Sequence, residues 1–494
     1  MQRSSLRVAV ALAATGVRAW HRTVLEHIRA LEGVVAIAVI ADRADGTRSD
    51  AEPSDPLLRL LSIDHVVRDV PRIPFTEGVV RQGRFEVLID LAGIDLDEPP
   101  SCGVWRYGFG DGRLLADGAA GTVARLYRLT ADPDRAVVLR DGWYRARTPD
   151  AWGTPSVAAR VAPWCARALR QIAGGDEETL AANPQSTAGC RDREPPDAPR
   201  SRAVAVGDEV RKWLRRERWT IGLVAKPIED ILARGTLPEP TWLRDQPADR
   251  FYADPFPVAS SPDGMRVLVE DYRYRSGRKG LTEIDIGRDG SVRQATEQET
   301  LPSPASYPFL LRRDGAVMCV PETSGARVAR AFARDSATGA WSPRTDLVRG
   351  LAVVDPTLVE WNGAWWLFCT KQGDEDQTEL YLFCAPSWAG PWEPHPLNPV
   401  KADTRSARPA GGCFELGGVL YRPAQNCARR YGAGITINRI VELTPRRFRE
   451  EPVLSLRPSP SSPWPDGLHT INSIDDMTVV DGLRVERRWR RDEK

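Results

Sequence analysis

The sequence predicts a multidomain protein, with an N-terminal α/β domain at residues 1–173, a flexible linker at 174–202 and a C-terminal all-β domain at 203–494. We expect a parallel sheet in the α/β domain and a five-bladed β-propeller in the all-β domain. Three observations lead to this prediction: a strand–helix–strand order near the N-terminus, a polar break, and a motif that recurs five times. The 494 residues leave room for two such domains.

The N-terminal segment alternates between strand and helix patterns. Residues 6–13 and 34–41 are continuous apolar runs, and residues 19–31 between them place apolar side chains at helical spacing. This order predicts a parallel unit with a right-handed crossover, and residues 85–91 add a further buried strand. The loop at 14–16 has no G-x-G-x-x-G pattern, so we predict no dinucleotide site there.

Residues 174–202 form the polar break between the domains. They include a Gly-Gly pair, an Asn-Pro pair and several charges, with almost no large apolar side chain. This composition is typical of a linker.

The C-terminal domain repeats one pattern: a polar or aromatic residue, an apolar strand, a turn, and a second apolar strand. The five repeats begin at Asp254, Tyr307, Asp355, Arg408 and His469, at steps of 53, 48, 53 and 61 residues. Several strands in each unit and a period of about 40–50 residues indicate a β-propeller. Residues 219–225 are a strand pattern that we expect to complete blade five and close the ring. A β-sandwich with coincidental spacing is the alternative.

Equivalent positions of the repeats converge on the channel of a propeller, so we expect their side chains to form one site. The first set consists of the five residues that begin the repeats; the second set, at the ends of the second strands, consists of Glu270, Glu322, Lys371 and Gln425. Burying so many polar groups is costly unless they pair with each other or with a ligand. Arg408 and Arg422 facing carboxylates suit a polyhydroxylated ligand that carries an anionic group.

Each of these residues also has a purely structural interpretation. An Asp that precedes Pro, as at positions 254 and 355, often only caps a turn. Arg408 and Arg422 are suited to tying blades together through backbone carbonyls, and a buried His469 is suited to a structural hydrogen bond.

The repeat motifs resemble a known family. Tyr252–Phe256, Ser306–Phe309, Val354–Thr357, Arg408–Gly411 and Tyr421–Gln425 are similar to the N-terminal propeller of plant glucosamine inositolphosphorylceramide transferases and their bacterial relatives. More distantly, the motifs resemble glycoside hydrolase family 43. That resemblance implies a base at Asp254 and a second, acid-tuning carboxylate at Asp355. Arg408 stands where that family has its acid, so Glu322 or Glu270 is the candidate replacement.

The N-terminal domain resembles the α/β domain of formyltransferases at residues 103–111. Gly108 or Phe109 stands where that family has its catalytic histidine. The resemblance therefore implies a domain that has lost formyl transfer and serves docking, substrate shaping or oligomerisation.

The composition bears on the partners and the compartment that we expect for the protein. The 68 Lys and Arg residues balance 67 Asp and Glu residues, which argues against a nucleic-acid partner. No apolar run approaches the ~20 residues needed to span a bilayer. None of the eight cysteines forms a C-x-x-C pair, and with no export signal predicted we expect a reducing cytoplasm.

We therefore expect an enzyme that acts on a sugar or sugar-like small molecule at the propeller channel. Asp254 is the expected base, Asp355 the orienting carboxylate and Glu322 the acid. The expected substrate-binding residues are Tyr307, Lys371, Arg408, Arg422, His469, Glu270 and Gln425. We expect no cofactor, although a channel calcium ion is left open, as is the oligomeric state. A non-hydrolytic tailoring enzyme (an isomerase, cyclase or transferase) and a non-catalytic ligand-binding scaffold are the alternatives.

Overall fold

The chain divides into two compact units, Met1–Arg200 and Ser201–Lys494, and each is described by itself. The computed structural model describes residues 6–13, 19–41, 72–74, 85–92, 99–111, 121–130, 135–145, 154–174, 185–186, 215–313, 315–373 and 376–487.

The first unit contains one eight-stranded sheet, in the order β3-β2-β1-β4-β5-β6-β7-β8. Its strands are β1 Leu6–Ala13, β2 Val34–Ala41, β3 Arg72–Pro74, β4 Val87–Asp90, β5 Val104–Asp111, β6 Gly121–Leu129, β7 Arg135–Arg145 and β8 Gln185–Ser186. Its described helices are α1 Ala19–Arg29, α2 Thr154–Val161 and α3 Pro163–Ala173. Among the described residues, no helix has the length and apolar composition needed to cross a membrane.

The prediction of a parallel sheet is correct for half of this unit and wrong for the other half. Strands β1 to β5 pair in parallel, whereas β5 to β8 pair antiparallel. The connections at 112–120 and 131–134 are shorter than the roughly dozen residues that a parallel crossover needs, so the chain reverses instead. Strand β8 lies inside the predicted linker, most of which falls outside the described residues. The formyltransferase-like fold stays a prediction.

The second unit is a five-bladed β-propeller, as the repeats predicted. Every strand pair in it is antiparallel among the described residues. Blade one consists of β11 Arg250–Ser261, β12 Gly264–Arg273, β13 Arg278–Gly287 and β14 Val292–Glu297. Blade two consists of β15 Ser306–Arg313, β16 Ala316–Glu322, β17 Val328–Arg334 and β18 Trp341–Arg349. Blade three consists of β19 Val353–Trp361, β20 Ala364–Lys371, β21 Glu379–Ala385, β22 Glu393–Pro394 and β23 Lys401–Ala402. Blade four is β24 Phe414–Leu416, β25 Val419–Asn426, β26 Gly434–Leu443 and β27 Phe448–Leu456.

Blade five combines strands from both ends of the unit. It contains β9 Arg215–Val224, β10 Thr241–Trp242, β28 Ile471–Ile474 and β29 Met477–Arg487, with the short helix α4 Ile228–Arg234 between β9 and β10. Strand β9 pairs with the whole of β29, from Arg215 opposite Arg487 to Val224 opposite Thr478. The predicted closure by residues 219–225 is therefore confirmed, and it pairs edges that an open ring would expose.

Tight turns and apolar side chains explain why each repeat forms a blade. In blade three, Asn362 and Gly363 both have positive φ, 50° and 75°, as a two-residue hairpin between β19 and β20 requires. Trp365 and Trp366 follow on opposite faces of β20, and both are buried. Between blades one and two, the rings of Phe256 and Tyr307 meet edge-on with centroids 4.9 Å apart.

Candidate functional site

Three inner strands share one irregularity where their repeats begin. Strands β11, β15 and β19 each shift register at this point, and the residues in the bulges are Asp254, Tyr307 and Asp355. Their φ angles are 51°, 42° and 51°, in the left-handed region that side chains other than glycine rarely adopt. Such a conformation costs on the order of 1 kcal/mol or more, so other contacts must hold it.

Carboxylates from neighbouring repeats provide those contacts. The backbone N–H of Asp254 donates to Asp481 Oδ2 at 3.2 Å, and that of Asp355 donates to Glu322 Oε2 at 3.3 Å. The backbone N–H of Tyr307 donates to Asp254 Oδ2 at 3.2 Å. Each of these carboxylates therefore fixes the bulge of the next blade, which brings the acidic side chains of neighbouring blades together.

Blades five and one meet in a buried histidine–carboxylate cluster. His469 Nδ1 donates to Asp481 Oδ2, and His469 Nε2 lies 3.8 Å from Asp254 Oδ1. The Thr470 hydroxyl donates to Asp254 Oδ1 at 2.7 Å. The imidazole stacks on the indole of Trp219, with ring centroids 4.0 Å apart, so its orientation is set by strand β9.

The charges of this cluster depend on one another. Burial alone would lower the pKa of His469, but the carboxylates of Asp481 and Asp254 raise it to about 9. Burial raises the pKa of Asp254 to about 7, against the lowering effect of His469. At neutral pH His469 is therefore an imidazolium, and Asp254 exchanges its proton near the working pH of an enzyme.

Blades two to four contribute a second cluster around Asp355. Arg408 Nε donates to Asp355 Oδ2 at 2.6 Å, and Gln425 Nε2 donates to the same oxygen at 2.9 Å. The Arg408 guanidinium also reaches Asp376 Oδ2 at 3.4 Å. Burial, followed by the charge of Asp355, raises the pKa of Glu322 to about 8, against the lowering effect of Arg408. Glu322 is therefore mostly protonated at neutral pH, as a general acid must be.

A calcium ion does not fit the cluster of Asp254, His469 and Asp481, although their donor atoms lie within 4.8 Å of one another. Calcium takes six to eight oxygen ligands, whereas this set offers two carboxylates and an imidazole nitrogen. The Asp481 carboxylate also accepts backbone N–H groups from Asp254, His469 and Thr470. The cluster is satisfied as a hydrogen-bonded ion pair.

Two predicted ligand-binding residues lie in the framework. The Tyr307 side chain is fully buried, and its hydroxyl shares a hydrogen bond with Thr357 and accepts one from the Gly411 N–H. Arg422 has no exposed surface, and its guanidinium binds Glu450 and the carbonyls of residues 406 and 407. We therefore leave both side chains out of the proposed ligand-binding set.

The strand pairing in blade three replaces one of the residues that we predicted at the ends of the second strands. Glu270 lies opposite Ala253, and Glu322 lies opposite Ser306. In blade three the residue opposite Val354 is Thr370, not the expected Lys371. The bulge at the start of the repeat is the same in β11, β15 and β19, but β11 has a second register shift, between Pro257 and Ala259, that β19 lacks. The residue of blade three that is equivalent to Glu270 is therefore Thr370, and Lys371 is exposed at the end of β20.

Sequence reasoning missed three residues of the site. Asp481 follows the apolar residues Val479 and Val480 in the second strand of the fifth repeat, as Glu270 and Glu322 follow theirs, so the repeat rule itself would have found it. Tyr431 lies in a loop between blade strands, where its ring is 5.1 Å from the Arg408 guanidinium and 5.3 Å from the His469 ring. Lys279 is the second residue of β13, the third strand of blade one, and its ammonium is 3.5 Å from Glu270 Oε1. No repeat position marks the last two.

Residues 301–461 match the family model of the N-terminal region of glucosamine inositolphosphorylceramide transferase 1. The transferase of that name from Oryza sativa subsp. japonica is 32% identical over 153 residues, which are 30% of this chain and 20% of that protein. The Arabidopsis thaliana transferase is 28% identical over 150 residues, 29% of this chain and 20% of that protein. The chain thus matches about a fifth of the length of these relatives. The residues matched by the family model form blades two to four. The resemblance that the repeat motifs indicated is confirmed.

Solved structures with low similarity include an exo-β-1,3-galactanase from Clostridium thermocellum, with a TM-score of 0.33 and 10% identity over 44% of this chain and 52% of that one. A family 117 glycoside hydrolase from Zobellia galactanivorans has a TM-score of 0.34 and 12% identity, over 54% of this chain and 90% of that one.

Proposed function

We propose that the channel mouth binds a sugar and acts on a glycosidic bond, with Asp254 as general base and Glu322 as general acid. The main support for this proposal is a pair of carboxyl groups. Adjacent blades contribute two carboxyl groups, one buried (Asp254) and one half-buried (Glu322), whose pKa values, about 7 and about 8, both lie near neutrality. Pairs of carboxyl groups tuned in this way are how proteins cleave glycosidic bonds at neutral pH.

Asp355 would act as a positioning residue. It binds Arg408 and Gln425 through its side chain, and its backbone N–H donates to Glu322. Its charge also raises the pKa of Glu322, which favours the protonated acid. These roles agree with those implied for Asp254 and Asp355 by the resemblance to glycoside hydrolases, whereas Glu322 comes from a different blade than the acid of that family.

A sugar is the proposed ligand for two reasons. The matched relatives are named glucosamine inositolphosphorylceramide transferase 1. The site is rich in carboxylates, which accept hydrogen bonds from sugar hydroxyls. Lys279, Arg408 and His469, the cations of the two clusters and the Glu270 pair, each have a carboxylate partner, so these three do not favour the anionic group on the ligand that the sequence led us to expect.

The test measures turnover and binding on a panel of glycosides and oligosaccharides. We expect Asp254→Asn and Glu322→Gln to lower turnover by about 100-fold or more while sugar binding persists, since general acid–base catalysis supplies about 10²–10⁴-fold. Asp346→Asn is the matched control, because Asp346 pairs with Arg330 on the outer strands of blade two. Wild-type turnover in both site variants would refute the assignment.

A non-catalytic sugar-binding role is the second candidate. Arg408 and Gln425 both engage Asp355, and Arg408 stands where the resembled hydrolases have their acid. This role predicts that sugars bind, that Asp254→Asn weakens binding, and that no glycoside is turned over under any condition.

A further inference from the structure

Glu270 departs from the pattern that holds the ring together. Like Glu322 and Asp481, it lies on the second strand of its repeat, beside the residue that begins the repeat. Those two carboxylates accept the backbone N–H of the next blade's bulge. In blade one the corresponding N–H, that of Tyr307, donates to Asp254 instead. Glu270 therefore does not hold the Tyr307 bulge as Glu322 and Asp481 hold theirs.

The Glu270 carboxylate has Lys279 as its partner in the described part of the chain. Lys279 Nζ lies 3.5 Å from Glu270 Oε1, and the two side chains are 46% and 9% exposed. The charges of Glu322 and Asp254 also act on this ammonium. Lys279 holds its charge on a flexible four-carbon chain, so the pair can open without breaking any backbone hydrogen bond of the ring.

Negative charge is in excess around this pair. With Glu322 protonated, the other carboxyl groups of the two clusters and the pair are Asp254, Glu270, Asp355, Asp376 and Asp481, whereas the cations are Lys279, Arg408 and His469. A neutral ligand that displaced Lys279 would leave the buried charge of Glu270 without a partner, which is unfavourable. A ligand ammonium would replace the Lys279 ammonium at no loss of charge balance.

We propose that Lys279 is a tethered stand-in for an amino group of the ligand, and that the Glu270–Lys279 pair selects aminated sugars over uncharged ones. A ligand ammonium takes the place of the Lys279 ammonium on Glu270, and Lys279 swings toward solvent. This inference rests on the proposed function for the location of the sugar, because the pair adjoins Asp254 and Glu322.

The experiment compares glucosamine with N-acetylglucosamine, which has the same ring without the positive charge, by calorimetric titration of the full-length protein. Lys279→Met is expected to tighten glucosamine binding about tenfold or more, because a tethered competitor acts at millimolar effective concentration. N-acetylglucosamine binding is expected to change less than about twofold. Lys226→Met is the matched control, since Lys226 is 47% exposed and pairs with Asp230; it should change neither affinity.

A second substitution identifies the carboxylate. In the Lys279→Met background, Glu270→Gln is expected to weaken glucosamine binding at least tenfold while circular dichroism shows the fold retained. Weaker glucosamine binding in Lys279→Met would show that Lys279 contacts the ligand directly and would overturn the inference. Equal tightening of both sugars would overturn it as well, because it would indicate added space rather than a vacated charge.

Ethylammonium separates the inference from the proposed function. If Lys279→Met binds ethylammonium in a Glu270-dependent way, by chemical-shift titration, but no variant binds any sugar, the stand-in role holds and the sugar function fails. If Lys279→Met binds neither ethylammonium nor glucosamine, the stand-in role is wrong.

Discussion

Replacing Asp481 with Asn tests how blade five supports the site. Asp481 is fully buried; it accepts three backbone N–H groups and pairs with the His469 imidazolium. The Asn side chain keeps one acceptor and places an N–H₂ group against these donors. We therefore expect the variant to lose hydrogen bonds worth about 1–3 kcal/mol at every pH, and to lose the charge that holds the proton on His469.

The structure predicts how the stability that the variant loses with this charge depends on pH. The folded-state pKa of His469 is about 9, raised from 6.5. A raised pKa stabilises the folded state below pH 6.5, and this stabilisation is lost as the pH rises through 9. At about 1.4 kcal/mol for each pH unit, the contribution of His469 is about 3 kcal/mol at pH 6.5 and about 0.4 kcal/mol at pH 9.

Two assays measure this prediction. Urea denaturation at several pH values gives the unfolding free energy of the propeller, and the wild type should exceed Asp481→Asn by about 2.5 kcal/mol more at pH 6.5 than at pH 9. Nuclear magnetic resonance of the imidazole C–H groups should show His469 titrating near pH 9 in the wild type and below 6.5 in the variant. The chain has five histidines, which keeps assignment simple.

Asp346→Asn is the control, because Arg330 lowers the pKa of Asp346 and its effect on stability therefore falls in acid. This control should not change between pH 6.5 and 9. A stability difference between wild type and Asp481→Asn that is the same at both pH values would refute the reasoning, as would a wild-type His469 that titrates near 6.5.

Three further predictions concern other parts of the channel. The rate of glycoside turnover should be bell-shaped in pH, with limbs near 7 and 8, and Glu322→Gln should remove the alkaline limb, since Asp254 sets the acid one. Tyr307→Phe should lower the unfolding free energy by about 1–3 kcal/mol in urea, because a buried N–H loses its acceptor. Arg422→Met should cost about 3–5 kcal/mol by leaving Glu450 unpaired, while the folded protein keeps its sugar affinity by calorimetry.

The repeats predicted the blades because each contains a strand, a turn and a strand that are local in sequence. Asn362-Gly363 and the apolar run after it contain every signal needed to predict one hairpin. The strand at 219–225 is likewise predicted from its own local pattern. The N-terminal sheet was harder to predict. The direction of β6 and β7 depends on the length of the connections, which a strand pattern alone does not contain.

The candidate site shows which residues the repeats could predict and which they could not. The rule placed Asp254, Glu322 and Asp355 together, because inner-strand positions converge whatever their chemistry. It failed for Lys371, since blade one has a second bulge, between Pro257 and Ala259, that blade three lacks, and the sequence does not mark this bulge. It also had no means of finding Lys279, which lies outside the first two strands and contributes through a long side chain.

The central claim is that a sugar lies between the carboxyl groups of Asp254 and Glu322. The most direct measurement is a crystal structure of Glu322→Gln soaked with the sugar that binds it most tightly in solution. The account predicts electron density for the sugar at the channel mouth, with hydroxyl groups hydrogen-bonded to Asp254. Density only in the clefts near Trp242 or Arg334, with the channel mouth empty, would contradict it.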